Sequence, residues 1–167
     1  WLDSSDEDSF TYCFGSDEKK VYFAHNMLYH PDRFDAFCRA NRLVPEVFCK
    51  SVKGRDLPAV RFGDGDKWIL ITARHHACES TGDYVLEGAV EALTFLLPEG
   101  YSVLVIPFVD YDGVVDGDQG KNRRPHDHNR DYTDEPIYEV IQKMIEFGKE
   151  NDLQYTFDFH SPWHMGA

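Results

Sequence analysis

The chain alternates apolar segments of strand length with segments whose apolar residues recur at helical spacing. Residues 67–74 and 102–109 are of the first kind, and the second of them is apolar throughout after Ser102. A strand of that composition is expected in a sheet covered on both faces. Between these two segments, residues 81–97 place their apolar side chains on one helical face and end before Pro98. This order predicts an α/β fold, with a mostly parallel or mixed central sheet and helices on both faces.

A second helix and a third strand follow a long polar loop. Residues 137–145 carry apolar side chains at the i, i+3, i+4, i+7 and i+8 positions of a helix. Residues 155–160 alternate between polar and apolar and are predicted to form a strand. The loop at residues 110–134 is rich in Gly and Asp and is longer than compact domains usually tolerate. Because long ordered loops are usually functional, we expect it to contribute to a site.

The N-terminal part of the chain is predicted to be a separate segment. Residues 10–14 and 19–25 have the composition of short edge strands, and residues 30–41 have apolar residues at helical spacing after a proline. We interpret residues 1–30 as the end of an N-terminal β domain or a linker. Residues 31–167 then form one α/β unit.

Charge and cysteine content exclude several classes of protein. The formal net charge of −13 argues against nucleic acid as a partner, because phosphate binding needs clustered Lys and Arg. No apolar run reaches the ~18 residues that a membrane span requires. The four cysteines include no Cys-x-x-Cys pair, so neither a disulfide framework nor a thiolate zinc site is expected. Reduced cysteines favour a cytoplasmic location, although the sequence leaves open a signal peptide ahead of Trp1.

Polar residues follow each of the three predicted strands. His76 and Glu79 come after the first strand, the polar loop after the second, and His160 at the end of the third. In open α/β sheets, ligands bind beyond the carboxyl ends of the strands. The His-x-x-Asp/Glu spacing occurs again at His128 and Asp131, so the spacing alone is weak evidence. The placement at strand ends is what indicates a site.

Two imidazoles and one carboxylate are a known ligand set for catalytic zinc, as in carboxypeptidase A, and they leave a fourth position for water. Such a site can polarise a carbonyl group and acidify water. Two ligands on one short turn and a third from a distant strand would make it rigid. The sequence therefore predicts a metal centre at this edge of the sheet.

Four short segments occur in order along the chain: HACE at 76–79, VDYDG at 109–113, HNR at 128–130 and DFHS at 158–161. Together with CKSVKGRDL at 49–57, they resemble the motifs of the zinc carboxypeptidase family M14, most closely those of its cytosolic-carboxypeptidase-like branch. The chain departs from the family pattern at Asp110 and Tyr111, where Asn-Pro is usual, and at His128, where leucine is usual.

The resemblance implies a carboxypeptidase-like catalytic domain that hydrolyses the C-terminal peptide bond of peptides or proteins with one Zn²⁺. Residues 31–167 would be the N-terminal and central part of that domain. The fold would be incomplete at the C-terminus, and the family's general-base glutamate would lie beyond residue 167.

The resemblance also implies a role for individual residues. The zinc ligands would be His76, Glu79 and His160. The substrate would be bound by Asn129, Arg130 and Ser161, and the planar guanidinium of Arg130 suits a terminal carboxylate. Arg123 would stabilise the oxyanion at the scissile carbonyl. Since the loop between Arg123 and Arg130 is shorter than usual, Arg124 and Lys121 remain alternatives for that role.

Other histidines and polar residues near these motifs have competing interpretations. His126 and His128 could form a rival His-x-His metal site, although a solvated loop is the plainer interpretation. His164 would be a ligand only if its segment were helical. His75 is expected to be a strand-end residue or a contact of a ligand rather than a ligand. Asp158 could likewise hold a ligand in place, and Cys78 is expected to pack as a small apolar group.

Two other functions fit the same motifs. The aspartoacylase and succinylglutamate-desuccinylase relatives use similar elements on small N-acyl amino acids. A non-catalytic relative would bind the C-termini of peptides without cleaving them. Comparing peptides with N-acyl amino acids as substrates would distinguish a carboxypeptidase from a hydrolase of N-acyl amino acids.

Overall fold

The computed structural model describes residues 11–23 and 27–161. The elements are four α-helices, five strands and one 3-10 helix within these residues. In chain order they are α1 (Pro31–Ala40), β1 (Pro45–Lys50), β2 (Asp56–Gly63), β3 (Lys67–Ala73), α2 (Thr81–Leu96), β4 (Tyr101–Ile106), α3 (Tyr111–Asp116), the 3-10 turn His128–Arg130, α4 (Glu139–Glu150) and β5 (Asp152–Phe159).

The five strands form one mixed sheet in the order β1-β2-β4-β3-β5. Strand β3 pairs in parallel with β4 on one side and with β5 on the other. Strands β1 and β2 form an antiparallel pair that joins β4. The prediction of a mostly parallel or mixed sheet is confirmed. Although β2 and β3 follow each other in the chain, β4 lies between them in the sheet, so the turn at residues 63–65 connects strands that are not paired.

Helices cover both faces of the sheet, as the sequence predicts. Alternate residues of β3 point to opposite faces, with Ile69 and Ile71 on one side and Leu70 on the other. The first face packs against α1 and α2 through Phe34, Cys38, Leu86 and Val90. The second face packs against α4 through Val140, Ile141, Met144 and Phe147. The continuous apolar run of β4 is explained by this double coverage, since Val103 to Ile106 are all fully buried.

The structure differs from the sequence-based expectation in two places. The described residues among 10–14 and 19–25 form no strand, only an isolated bridge at Thr11. The segment after β4 is not entirely loop, because residues 111–116 form α3. The Asp110 carboxylate caps this helix by accepting a hydrogen bond from the Gly113 amide at 3.1 Å. No helix among the described residues is long and apolar enough to cross a bilayer.

The parallel register brings the carboxyl ends of three strands to one edge of the sheet. Ala73 at the end of β3 pairs with Phe159 at the end of β5, and Thr72 pairs with Ile106 at the end of β4. The polar residues that follow each strand therefore meet at the same edge. All four cysteines are free, in agreement with the sequence analysis.

Candidate metal centre

A buried arginine shapes the turn that follows β3. Arg74 has a left-handed backbone conformation (φ 60°), which is costly for a side chain of this size. Its guanidinium, which is 5% exposed, donates to the Ala77 carbonyl oxygen at 2.7 Å and to Asp83 on α2 at 2.5 Å. These bonds fold the turn back on itself, so that His76 and Glu79 lie on the same side.

The structure brings the three predicted ligands together. Nδ1 of His76 lies 3.1 Å from Oε1 of Glu79, and Nδ1 of His160 lies 2.6 Å from Oε2 of the same carboxylate. One donor atom from each residue falls within 4.8 Å of the other two. Both imidazoles therefore present Nδ1 to the centre of the cluster.

A second carboxylate stands behind each imidazole. Oδ2 of Asp158 lies 2.7 Å from Nε2 of His160, and Oδ2 of Asp127 lies 3.7 Å from Nε2 of His76. A partner at hydrogen-bond distance on the far nitrogen, such as Asp158, fixes the ring and makes it a better ligand, whereas Asp127 lies beyond that distance from His76. The sequence analysis missed Asp127. The sequence offers one sign of this residue, an Asp three positions before Arg130. In the structure Asp127 begins the 3-10 turn, and its carboxylate caps the turn by accepting a hydrogen bond from the Arg130 amide at 3.2 Å.

Two carboxylates, those of Glu79 and Asp158, flank the His160 imidazole. Burial raises the pKa of Glu79, but hydrogen bonds from His160, His76 and Lys121 outweigh it and hold that pKa well below its usual range. Hydrogen bonds to Asp158 and Glu79 raise the pKa of His160 to about 10, against the effect of burial. An imidazole flanked by two carboxylates marks a position that stabilises positive charge. The donor set and its charge both fit a divalent cation.

The fold has relatives of known structure. A metallo-carboxypeptidase from Burkholderia cenocepacia superposes with a TM-score of 0.68 at 21% identity, covering 80% of this chain and 41% of that one. A Pseudomonas aeruginosa metallo-carboxypeptidase, solved with (2-guanidinoethylmercapto)succinic acid, gives 0.66 at 19% identity, covering 80% and 40%. The chain has the metallo-carboxypeptidase fold. At these identities the likeness establishes the fold alone.

The sequence comparisons are sparser. An uncharacterized protein of Zymomonas mobilis is 25% identical over 151 residues, which are 84% of this chain and 40% of that protein. No family model matches the sequence. The chain spans 40% to 41% of the length of this relative and of the two carboxypeptidases compared above.

Within this carboxypeptidase fold, Arg130 lies near the predicted ligands, because Asp127 lies beside both Arg130 and His76. Its Nη1 donates to Oδ2 of Asp127 at 2.5 Å, the oxygen that also approaches His76. The Arg130 side chain is 72% exposed. Asn129 is exposed on the same 3-10 turn. Ser161, in contrast, is buried, and its hydroxyl accepts a hydrogen bond from the Gly82 amide at 3.1 Å, which ties β5 to the start of α2.

The three candidate cations for the oxyanion occupy different places. Arg123 is held by carboxylates: it donates three hydrogen bonds of 2.7 to 3.1 Å to Asp110 and one of 2.8 Å to Asp118. The ammonium of Lys121 lies 2.8 Å from Oε1 of Glu79, inside the cluster of ligands. Arg124 is exposed and lines a pocket of about 390 Å³. Lys121 is thus the candidate that contacts a ligand.

The rival sites do not form among the described residues. Nε2 of His126 lies 2.6 Å from Asp131, whereas His128 stacks on Tyr138 with ring centroids 3.8 Å apart. Neither histidine joins either of the two groups in the described chain that could hold a metal. Cys78 is half-buried and its pKa is raised by burial, so it resembles a packed thiol rather than a thiolate ligand. His164 lies outside the described residues.

Proposed function

We propose that the protein is a zinc-dependent metallocarboxypeptidase that hydrolyses the C-terminal peptide bond of peptides or proteins. The observation that supports this most directly is the meeting of His76, Glu79 and His160 within 4.8 Å at the carboxyl edge of a carboxypeptidase-like sheet. Arg130 stands beside this cluster on the shared carboxylate of Asp127.

Zinc is the ion that this donor set fits best. Two imidazole nitrogens and one carboxylate oxygen are ligands of intermediate softness, which suit Zn²⁺ better than Mg²⁺ or Ca²⁺. When bound, zinc would act as a Lewis acid toward a carbonyl oxygen and would lower the pKa of water. His76, Glu79 and His160 would hold it. Asp158 would hold the imidazole of His160 in place, and the Asp127 carboxylate would face the imidazole of His76.

Arg130 and Asn129 would bind the free carboxylate of the substrate. The Arg130 guanidinium is largely exposed although one of its nitrogens is fixed by Asp127. A guanidinium anchored at one nitrogen is oriented before the substrate arrives and can offer its other donors as a fork to a carboxylate. Such an arrangement would select substrates with a free C-terminus.

A second cation would stabilise the negative charge that develops on the scissile carbonyl oxygen. The sequence-based prediction assigns this to Arg123, which stays a prediction. Lys121 is the better supported candidate by position, because its ammonium group already contacts a ligand carboxylate. Arg123 would have to give up hydrogen bonds to the buried Asp110 before reaching a substrate.

The proposal is tested on the full-length protein with a peptide, its C-terminally amidated form and an N-acyl amino acid. We expect cleavage of the free peptide alone, loss of cleavage after treatment with a chelator, and recovery with Zn²⁺. Arg130→Met should raise KM for the free peptide far more than it lowers kcat, while Arg39→Met, at an exposed position of α1, should change neither.

Chelator-resistant cleavage would refute the metal-dependent mechanism. Preference for the N-acyl amino acid would favour a small-amide hydrolase instead. Binding of the free peptide without cleavage by the zinc-loaded protein would indicate a non-catalytic receptor for C-termini.

A further inference from the structure

His75, the neighbour of a proposed ligand, has both ring nitrogens engaged although it lies in the core. The residue is 1% exposed. Its Nε2 lies 2.7 Å from the hydroxyl of Tyr132, and its Nδ1 lies 2.9 Å from Oδ1 of Asp158. Its ring also stacks on that of His160, with centroids 5.9 Å apart and an interplanar angle of 21°. The proposed zinc cluster requires none of these contacts.

Asp158 connects His75 to the proposed ligand. One of its oxygens accepts from the Thr72 hydroxyl at 2.9 Å and contacts His75, while the other lies 2.7 Å from Nε2 of His160. Because the Thr72 hydroxyl and one nitrogen each of His75 and His160 surround its two oxygens, the Asp158 carboxylate is the acceptor of these hydrogen bonds.

The direction of the hydrogen bonds among Tyr132, His75, Asp158 and His160 follows from this carboxylate. His75 must donate from Nδ1 to Asp158, so its Nε2 carries a lone pair and accepts from the Tyr132 hydroxyl. His160 must donate from Nε2, so in its neutral form Nδ1 carries the lone pair. That is the nitrogen that faces Glu79 at 2.6 Å.

We infer that Tyr132, His75 and Asp158 form a hydrogen-bonded chain that fixes the tautomer and ring orientation of His160 for metal binding. The inference rests on the proposed function, because these three hydrogen-bonded residues have this role only if His160 is a metal ligand. Tyr132 and His75 are positioning residues that act through Asp158. Since Tyr132 lies two residues after Arg130, the chain also links the segment proposed to bind the substrate to the metal ligand.

A second ion between His75, Asp158 and His160 is the rival explanation, because these residues also bring three donor atoms within 4.8 Å of one another. Hydrogen bonds already account for both nitrogens of His75 and both oxygens of Asp158. An ion there would also take Nε2 of His160 and leave the first cluster with a protonated Nδ1. The hydrogen-bonded chain satisfies every group without these costs.

The test uses full-length protein stripped of metal and titrated with Co²⁺ against a chelator of known affinity. Tyr132→Phe removes only the hydroxyl, and His75→Gln removes the ring. We expect each variant to bind Co²⁺ about 10- to 100-fold more weakly, as for other partners of metal ligands. The double variant should lose no more than His75→Gln alone, because Tyr132 acts through His75. Tyr155→Phe, on the exposed strand β5, is the control and should keep wild-type affinity.

Imidazole nitrogen NMR of the zinc-loaded protein gives a readout that a merely structural role would not change. The wild type should carry the His75 proton on Nδ1 and the His160 proton on Nε2. Because Asp158 still takes the Nδ1 proton in Tyr132→Phe, the tautomer should change only in Asp158→Asn, which should give His75 a mixture of tautomers while circular dichroism stays native. An unchanged His75 tautomer in Asp158→Asn would overturn the inference.

The metal titration separates this inference from the proposed function. Wild-type affinity in both single variants would overturn the positioning chain and leave the zinc centre intact. Binding of two equivalents of Co²⁺ would overturn it in favour of the second ion. Absence of binding by the wild type would refute the metal centre itself, and the inference with it.

Discussion

The ammonium group of Lys121 lies 2.8 Å from Oε1 of Glu79, the carboxylate that His76 and His160 also contact. The loop that carries this lysine is packed directly on the ligand turn, where the Cys78 amide donates to the Gln119 carbonyl oxygen at 3.2 Å. A positive charge is thus fixed at the edge of the cluster. It would repel a divalent ion and would stabilise negative charge on a substrate.

Replacing Lys121 by Met should tighten metal binding, because the variant no longer places a positive charge beside the ion. At a separation of about 4 Å each pair of unit charges is worth at least ~1 kcal/mol, and a divalent ion doubles this, so an increase in affinity of about 30-fold is expected. Competition with a chelator measures it. Lys149→Met, at the exposed end of α4, is the matched control. Weaker binding by the Lys121 variant would mean that the lysine helps to hold the site together.

Gly120→Ala should disturb the centre, because a Cβ at residue 120 would lie 2.6 Å from the Ala77 amide nitrogen and 2.7 Å from Asp110. Gly117 has the same left-handed conformation with open space around it, so Gly117→Ala isolates the cost of the backbone conformation. We expect about 1 kcal/mol of lost stability for Gly117→Ala and about 2–3 for Gly120→Ala by urea unfolding. Only Gly120→Ala should weaken metal binding, and equal effects would count against the close packing.

Arg123→Met should cost stability before it affects catalysis. The variant leaves the Asp110 carboxylate, which is 1% exposed, without its guanidinium partner. Removing one partner of a buried ion pair costs about 3 kcal/mol or more, measured here by urea unfolding of the full-length protein. Arg61→Met breaks an exposed pair with Glu46 and should cost less than about 1 kcal/mol. A stable variant with greatly reduced kcat would instead support Arg123 as the oxyanion residue.

His128 should make the protein acid-sensitive. Burial lowers its pKa from 6.5 to about 4, and the charge of Arg123 adds to this effect. Between these two pH values the unfolded chain binds a proton that the folded chain does not, so stability falls as the pH falls through this window. The loss amounts to about 3 kcal/mol at most.

His128→Leu should remove this part of the pH dependence, measured as the free energy of unfolding at pH 7 and pH 4. His30→Gln, at a partly exposed position, should leave the wild-type slope unchanged. The same slope in the His128 variant would show that other groups cause the acid sensitivity.

Much of the fold could be predicted from the sequence because its elements are locally encoded. The doubly buried strand β4 has an unbroken apolar run, and α2 and α4 have apolar residues at helical spacing. The N-terminal strands were predicted wrongly for the described residues, since β propensity in a short segment does not say whether a partner strand lies beside it.

The candidate site was predictable as a set of residue types but not as a set of contacts. His76, Glu79 and His160 could be named because each follows a predicted strand. Asp127 could not be assigned, because its distance from His76 depends on how the loop after β4 folds back.

The sequence by itself determined that this chain is an α/β unit with histidines and a carboxylate at the ends of its parallel strands, because apolar periodicity and strand order are written along the chain. Only the tertiary structure decided that Lys121 rather than Arg123 contacts the ligand cluster, and that His75 is linked to His160 through Asp158. Residues as far apart in the chain as Lys121 and Glu79, or Asp158 and His75, meet only when the sheet is assembled, and their hydrogen bonds are then set by burial and by which donors and acceptors lie within reach.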